Sequence, residues 1–127
     1  MPKLTLSCMP DLFAIARLNP LDNIPAWSLQ GSFFAITKTE DELSIVCQDK
    51  FVPNGVKVER GWRGFKVEGP LDFGLTGILS SLTKPLAEAK ISIFALSTFD
   101  TDYLLVKQEN LEKAATTLAT FCTIIRG

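Results

Sequence analysis

The sequence has no histidine, only three cysteines, one tyrosine and two tryptophans in 127 residues. Without histidine, no Ser-His-Asp or Cys-His triad can be assembled and imidazole acid–base chemistry is excluded. Cys8, Cys47 and Cys122 are odd in number and far apart, with no CxxC pair and no histidine to complete a zinc set. They read as free thiols, and no metal or cofactor is expected. The glycine-rich phosphate loops of nucleotide-binding proteins are missing too. The longest apolar runs are about five or six residues, too short to cross a bilayer. Neither sign of charge dominates: thirteen Lys and Arg face fourteen Asp and Glu, and the basic residues form no run. Nucleic-acid binding through a basic face is therefore not expected. No apolar stretch precedes a small-residue cleavage site near Met1, so the expectation is a cytoplasmic protein without a leader.

What is present describes a globular chain. The content is 46% hydrophobic and 21% charged, and the length suits one compact unit or two very small halves. Residues 34–49 (FAITKTEDELSIVCQD) resemble residues 94–109 (FALSTFDTDYLLVKQE) at an ungapped offset of 60. Phe34/Phe94, Ala35/Ala95, Val46/Val106 and Gln48/Gln108 are identical, and six further pairs are close in kind. This points to a duplicated unit built on a strand, a polar turn and a second strand.

Periodicity extends that unit. Residues 91–97 are apolar on both parities, as expected of a central strand covered on both faces. Leu75, Ile78, Leu79, Leu82 and Leu86 recur at spacings of three and four, the stripe of a helix that Pro85 should kink or restart. Leu111, Ala115, Leu118, Cys122 and Ile125 form another such stripe, with Gln108, Glu109 and Asn110 as capping candidates. With a strand at 63–67, the second half runs β-α-β-β-α, one strand short of the ferredoxin-like unit. In the first half, strands are expected at 12–18, 33–37, 43–47 and 56–59, with at most a short helix in 19–30. Residues 3–8 alternate as a strand that would supply the missing edge of the second half. The division is 1–60 and 61–127, without a linker at 60–62 and with one continuous core.

A binding site for a free amino acid needs acceptors for its ammonium and donors for its carboxylate. Asp72 is a candidate helix N-cap, with Gly74 and Gly77 leaving backbone N–H groups open to an anion. The turn of the second hairpin offers Thr98 for either group, Asp102 for an ammonium, and Phe99 as an apolar cover that something must bury. Each has a plainer reading. Asp72 can be a cap alone, the glycines can serve close packing, and Asp100 and Asp102 can be solvated turn formers. The Asp-Thr-Asp spacing lacks the glycine and distal glutamate of a calcium loop.

Residues 69–114 (GPLDFGLTGILSSLTKPLAEAKISIFALSTFDTDYLLVKQENLEKA) closely resemble bacterial ACT-domain-containing proteins of the subgroup related to the CASTOR-type arginine sensors of animals. FAIARL at 13–18, Ile24-Pro25-Ala26-Trp27 and the ITKTEDELSIV core within 34–46 add matches. The resemblance implies an α+β fold: ferredoxin-like β-α-β-β-α-β units in tandem, with antiparallel sheets and helices on one face. It implies a regulatory sensor that binds a free amino acid and is not an enzyme. Its implied ligand residues are Asp72, Phe73, Gly74, Leu75 and Thr76 on one side, and Ser97, Thr98, Phe99 and Asp102 on the other. The sensor relatives carry four such units, so a homodimer is expected. Where the second turn has Thr98 and Asp100, the first has Lys38 and Glu40, so the halves are not expected to be equivalent sites. An interaction module with a vestigial site is the alternative; its protein partner is not identifiable from sequence.

Overall fold

The computed structural model describes residues 4–69 and 76–126. Among them the strands are β1 (Leu4–Cys8), β2 (Phe13–Leu18), β3 (Phe34–Lys38), β4 (Leu43–Gln48), β5 (Lys57–Val67), β6 (Ile93–Ser97), β7 (Asp102–Lys107) and β8 (Cys122–Ile125). The helices are α1 (Ile78–Glu88) and α2 (Leu111–Ala119). The chain divides into two compact units, one of residues 11–62 and one of residues 1–10 with 63–127. Each has its own core, where the sequence had suggested one.

In the 11–62 unit the strand order is β3-β4-β2-β5. Strand β2 pairs antiparallel with β4 from Phe13↔Gln48 to Leu18↔Leu43, and β3 with β4 from Phe34↔Cys47 to Lys38↔Leu43. Side chains alternate along a strand, so Ala14 and Ala16 meet Leu43, Ile45 and Cys47 on one face, with Val52. Where helices would connect the strands, 3-10 turns stand at Ala26–Leu29 and Asp49–Phe51. Between Phe13↔Trp62 and Ile15↔Glu59 the register against β5 slips by one residue. That bulge falls at Gly61, whose φ of 78° suits glycine. Asp49 fixes it: Oδ2 accepts from the Gly61 N–H at 3.1 Å, and Oδ1 accepts from Arg60 Nη1 at 2.8 Å. The sequence suggested two strands at 56–59 and 63–67; the bulge instead lets one strand run through 57–67.

In the other unit the strand order is β6-β7-β5-β1-β8. Both helices share a core with one face of this sheet: Leu82 and Leu86 of α1 and Leu111, Ala114 and Leu118 of α2 pack with Leu6, Phe65, Val67, Leu104 and Val106. Each leucine side chain taken fully out of water contributes about 1.5–3 kcal/mol.

Four expectations are corrected. Strand β6 is not central; among the described residues it pairs only with β7, and Ala95 is exposed. The missing fourth strand is β8 itself, because the helical stripe ends at Leu118 and the β-branched run Thr123, Ile124, Ile125 becomes extended. Strand β1 is interior, antiparallel to β5 and parallel to β8, so this sheet is not wholly antiparallel. Pro85 lies inside α1, and the helix continues past it without restarting. No helix among the described residues is long and apolar enough to cross a membrane.

Two outcomes follow from the 11–62 unit. Gly31 has a φ of 81°, and a Cβ there would stand 1.9 Å from Oε1 of buried Gln48, which accepts from the Ser32 N–H. Gly55 has a φ of 89° with nothing within 4 Å of a Cβ. Denaturant titration should show Gly55→Ala costing about 1 kcal/mol and Gly31→Ala about 2–3 kcal/mol; equal costs would contradict the close approach. Burial, and secondarily the Asp49 carboxylate, push the Cys47 thiol above its ordinary value of 9.0, while Arg60 pulls it down. Since the folded value is raised, the stability this thiol contributes is full below pH 9.0 and lost as pH rises through the folded value. Iodoacetamide at pH 8 should therefore spare Cys47 in the native protein and modify it in denaturant.

Candidate functional site

The turn between β6 and β7 is closed by two threonines. The Thr98 N–H donates to the Thr101 carbonyl at 2.8 Å, and Thr98 Oγ1 donates to the same oxygen at 3.1 Å. The Thr101 N–H donates back to Thr98 Oγ1 at 3.2 Å. A hydroxyl two or three residues from the backbone it bonds is what makes threonine a turn former. The Thr101 side chain faces inward at 5% exposure, and its Oγ1 donates to the Val67 carbonyl at 2.5 Å. Val67 is the last residue of β5. The turn is thereby held at the strand end from which the chain runs on toward residues 70–75.

Asp102 is the first residue of β7, not a turn residue, and stands in register with Ser97. Ser97 Oγ donates to Asp102 Oδ1 at 2.5 Å. Phe99, at the tip, is 80% exposed, so the expected burial of that ring is not found. A hydroxyl has one proton and two lone pairs. The protons of Ser97 and Thr98 are both used inside the hairpin, which leaves this side with acceptors: a hydroxyl lone pair and the remaining capacity of the Asp102 carboxylate.

Of the opposing residues, Asp72, Phe73, Gly74 and Leu75 lie outside the described residues. Thr76 is exposed and precedes Gly77, which is the N-cap of α1 with a φ of 77°. The N-cap position of α1 is thus held by the left-handed Gly77, and the expectation of Asp72 as a cap falls outside the described residues. The first serines of α1 bond backward, Ser80 Oγ to the Gly77 carbonyl at 3.2 Å and Ser81 Oγ to that of Ile78 at 2.7 Å. Among the described residues no group of three or more His, Cys, Asp or Glu is arranged to hold a metal ion.

Both units have the same strand order. Numbering four strands within each, the second, third and first lie side by side, and the fourth closes the sheet, beside the first in one unit and across β1 in the other. The sequence profile of the ACT domain matches residues 57–120, half of the chain. The chain belongs to the ACT domain family. A second profile, of an N-terminal domain, matches residues 11–55. This ACT-domain chain superposes on the crystal structure of a protein from Agobacterium tumefaciens with a TM-score of 0.94 at 43% identity, over 100% of this chain and 96% of that one. It is 31% identical over 98 residues to the Bos taurus protein named cytosolic arginine sensor for mTORC1 subunit 1, covering 68% of this chain and 30% of the sensor. The regulatory subunit of aspartate kinase from Thermus thermophilus shares the fold, with a TM-score of 0.67 at 8% identity over 91% and 95% of the two chains. The chain spans between 14% and 65% of the length of the curated relatives it matches.

The geometry of this ACT-domain chain revises the internal repeat. Phe34↔Cys47 and Ile93↔Val106 are equivalent pairs, and the 3-10 turns Asp49–Phe51 and Gln108–Asn110 follow at the same interval, so the two hairpins are offset by 59 residues, not 60. A slip of one residue moves every side chain to the opposite face. The identities at 60 thus compare positions on opposite faces of the two hairpins. They arose because both strands carry apolar residues on both faces. In the true register Thr39 matches Thr98, Glu40 matches Phe99, Glu42 matches Thr101 and Leu43 matches Asp102. Thr39 also closes its turn in the same way, its N–H donating to the Glu42 carbonyl at 2.9 Å and its Oγ1 accepting from the Glu42 N–H at 3.2 Å.

Thr101 was missed as a functional candidate because nothing in one sequence separates a threonine that faces inward from its exposed neighbours. The shared turn chemistry predicts matched costs: Thr39→Val and Thr98→Val should each lower stability by about 1 kcal/mol in urea titrations. A cost at one turn only would contradict the 59-residue equivalence.

Proposed function

We propose that this ACT-domain chain is a non-catalytic regulatory module that binds a free amino acid beside the β6–β7 turn. The reading gives Asp102 the ligand ammonium, lets Ser97, Thr98 and Phe99 border it, and gives the ligand carboxylate to residues Asp72, Phe73, Gly74, Leu75 and Thr76. The observation that carries it is the bond from Thr101 to Val67, which brings the acceptor-rich turn to the strand end leading into that segment. Asp72 follows Val67 by only five positions in the chain. The first-turn N–H groups of α1 have no intrahelical acceptor and carry positive potential that suits a carboxylate. Acceptors at one edge and donors at the other suit a zwitterion.

The reading extends to two ACT-like units in tandem, the 11–62 unit carrying 3-10 turns in place of helices. It extends also to a homodimer that restores the larger number of units in longer relatives, and to a cytoplasmic setting. The bovine relative's name makes arginine the first ligand to try; similarity over 30% of that protein leaves the choice open to other amino acids. The second reading, a docking module with a vestigial site, is favoured by one observation: Leu21 is 87% exposed, with Ile24 and Leu29 also exposed in the same connection of the 11–62 unit.

Thermal-shift screening of the twenty amino acids at millimolar concentration distinguishes the two. A ligand at a hundred times its Kd stabilises by about 2.7 kcal/mol, which is several degrees of melting temperature in a chain this size. Asp102→Ala should abolish that shift and leave the unliganded protein folded. No shift with any amino acid, together with stoichiometric recovery of a protein partner, would favour the docking module.

A further inference from the structure

We infer that Thr101 is the positioning residue of the proposed site: its hydroxyl holds the hairpin turn to the exit of β5 and so sets where Ser97, Thr98, Phe99 and Asp102 stand. What is positioned rests on the amino-acid-binding reading; the tether itself rests only on hydrogen-bond geometry. Among the turn residues 98–101, Thr101 alone is buried. It serves both sides of the connection at once. Its backbone N–H and carbonyl close the turn on Thr98, and its side chain reaches the Val67 carbonyl. The exit of β5 is itself fixed, because the next residue, Glu68, donates its N–H to the Thr5 carbonyl of β1 at 2.8 Å. A continuous path of bonds therefore runs from the exposed tip through Thr101 to the middle of the sheet.

The equivalent turn of the 11–62 unit supplies the contrast. It has the same closure by Thr39, but Glu42 stands where Thr101 does. An ionised carboxylate has no proton to donate to a backbone carbonyl, so this form of tether is specific to the hairpin that carries Ser97, Phe99 and Asp102. Threonine is suited to the position: its methyl group fills a buried place while its one proton goes to Val67. Thr101→Val removes that proton at nearly constant shape, and Thr101→Ser keeps it.

The test compares the wild-type chain, Thr101→Val and Thr101→Ser by amide hydrogen exchange without ligand and by titration with whichever amino acid gives the largest wild-type thermal shift. In Thr101→Val, exchange at the Thr98 and Thr101 amides should accelerate by about tenfold or more while α2 amides keep their wild-type rates, and ligand affinity should fall by at least about tenfold. Thr101→Ser should stay within about threefold of wild type in both. Unchanged exchange in Thr101→Val overturns the tether. Accelerated exchange with unchanged affinity overturns the positioning role. If the wild-type chain binds no amino acid, the binding reading fails by itself and the exchange result alone decides the tether. Should Thr101→Val not fold, Thr101→Ala is read by the same criteria.

Discussion

Strand β5 has to serve both compact units with eleven residues, and the remaining structure depends on how it does so. Its first part pairs with β2 and closes the 11–62 unit as a fourth strand; its last part pairs with β1 and β7 and opens the other unit as a first strand. The bulge at Gly61 divides the two roles. A positive φ and one inserted residue change which side chains face which core, and Asp49 with Arg60 fixes the distortion through two hydrogen bonds from adjacent residues. With the bulge defined, Phe65 and Val67 enter the helical core, and the Val67 carbonyl is left where Thr101 reaches it.

Much of this architecture is legible in residue patterns. Strand positions in the first half follow from alternation, and the helical stripes of α1 and α2 from spacings of three and four. The misreadings share a physical cause. Strands apolar on both faces give no parity signal, so residue identity matches the hairpins one residue out of register and makes β6 read as a central strand. The end of α2 was overrun because Cys122 and Ile125 continue a helical spacing by accident, while the β-branched Thr123, Ile124 and Ile125 favour extension. Nothing local indicates that a strand from the chain start, β1, would insert between β5 and β8; pairing of that kind is a tertiary choice.

The candidate site was legible in residue type more than in role. Ser97 and Asp102 were selected separately as ligand groups, yet they are a hydrogen-bonded cross-strand pair. Thr98, a candidate contact from sequence, also closes the turn and retains one lone pair. Such internal commitments are compatible with binding, because a preorganised acceptor loses less conformational freedom when a ligand arrives. They narrow the chemistry that the turn presents: acceptors for a cationic group, beside an exposed ring. The 11–62 turn, with the same closure but Glu40 and Leu43 at the corresponding places, presents a different surface on the same frame.

The central claim is that an amino acid is bound at the helix-bearing unit, between the β6–β7 turn and the approach to α1. Amide chemical-shift mapping during titration with amino acids tests it most directly. The account predicts perturbations concentrated at residues 97–102 and 76–79, saturating with concentration, with the 19–33 connection unaffected. Perturbation confined to that connection, or none with any amino acid, would contradict it.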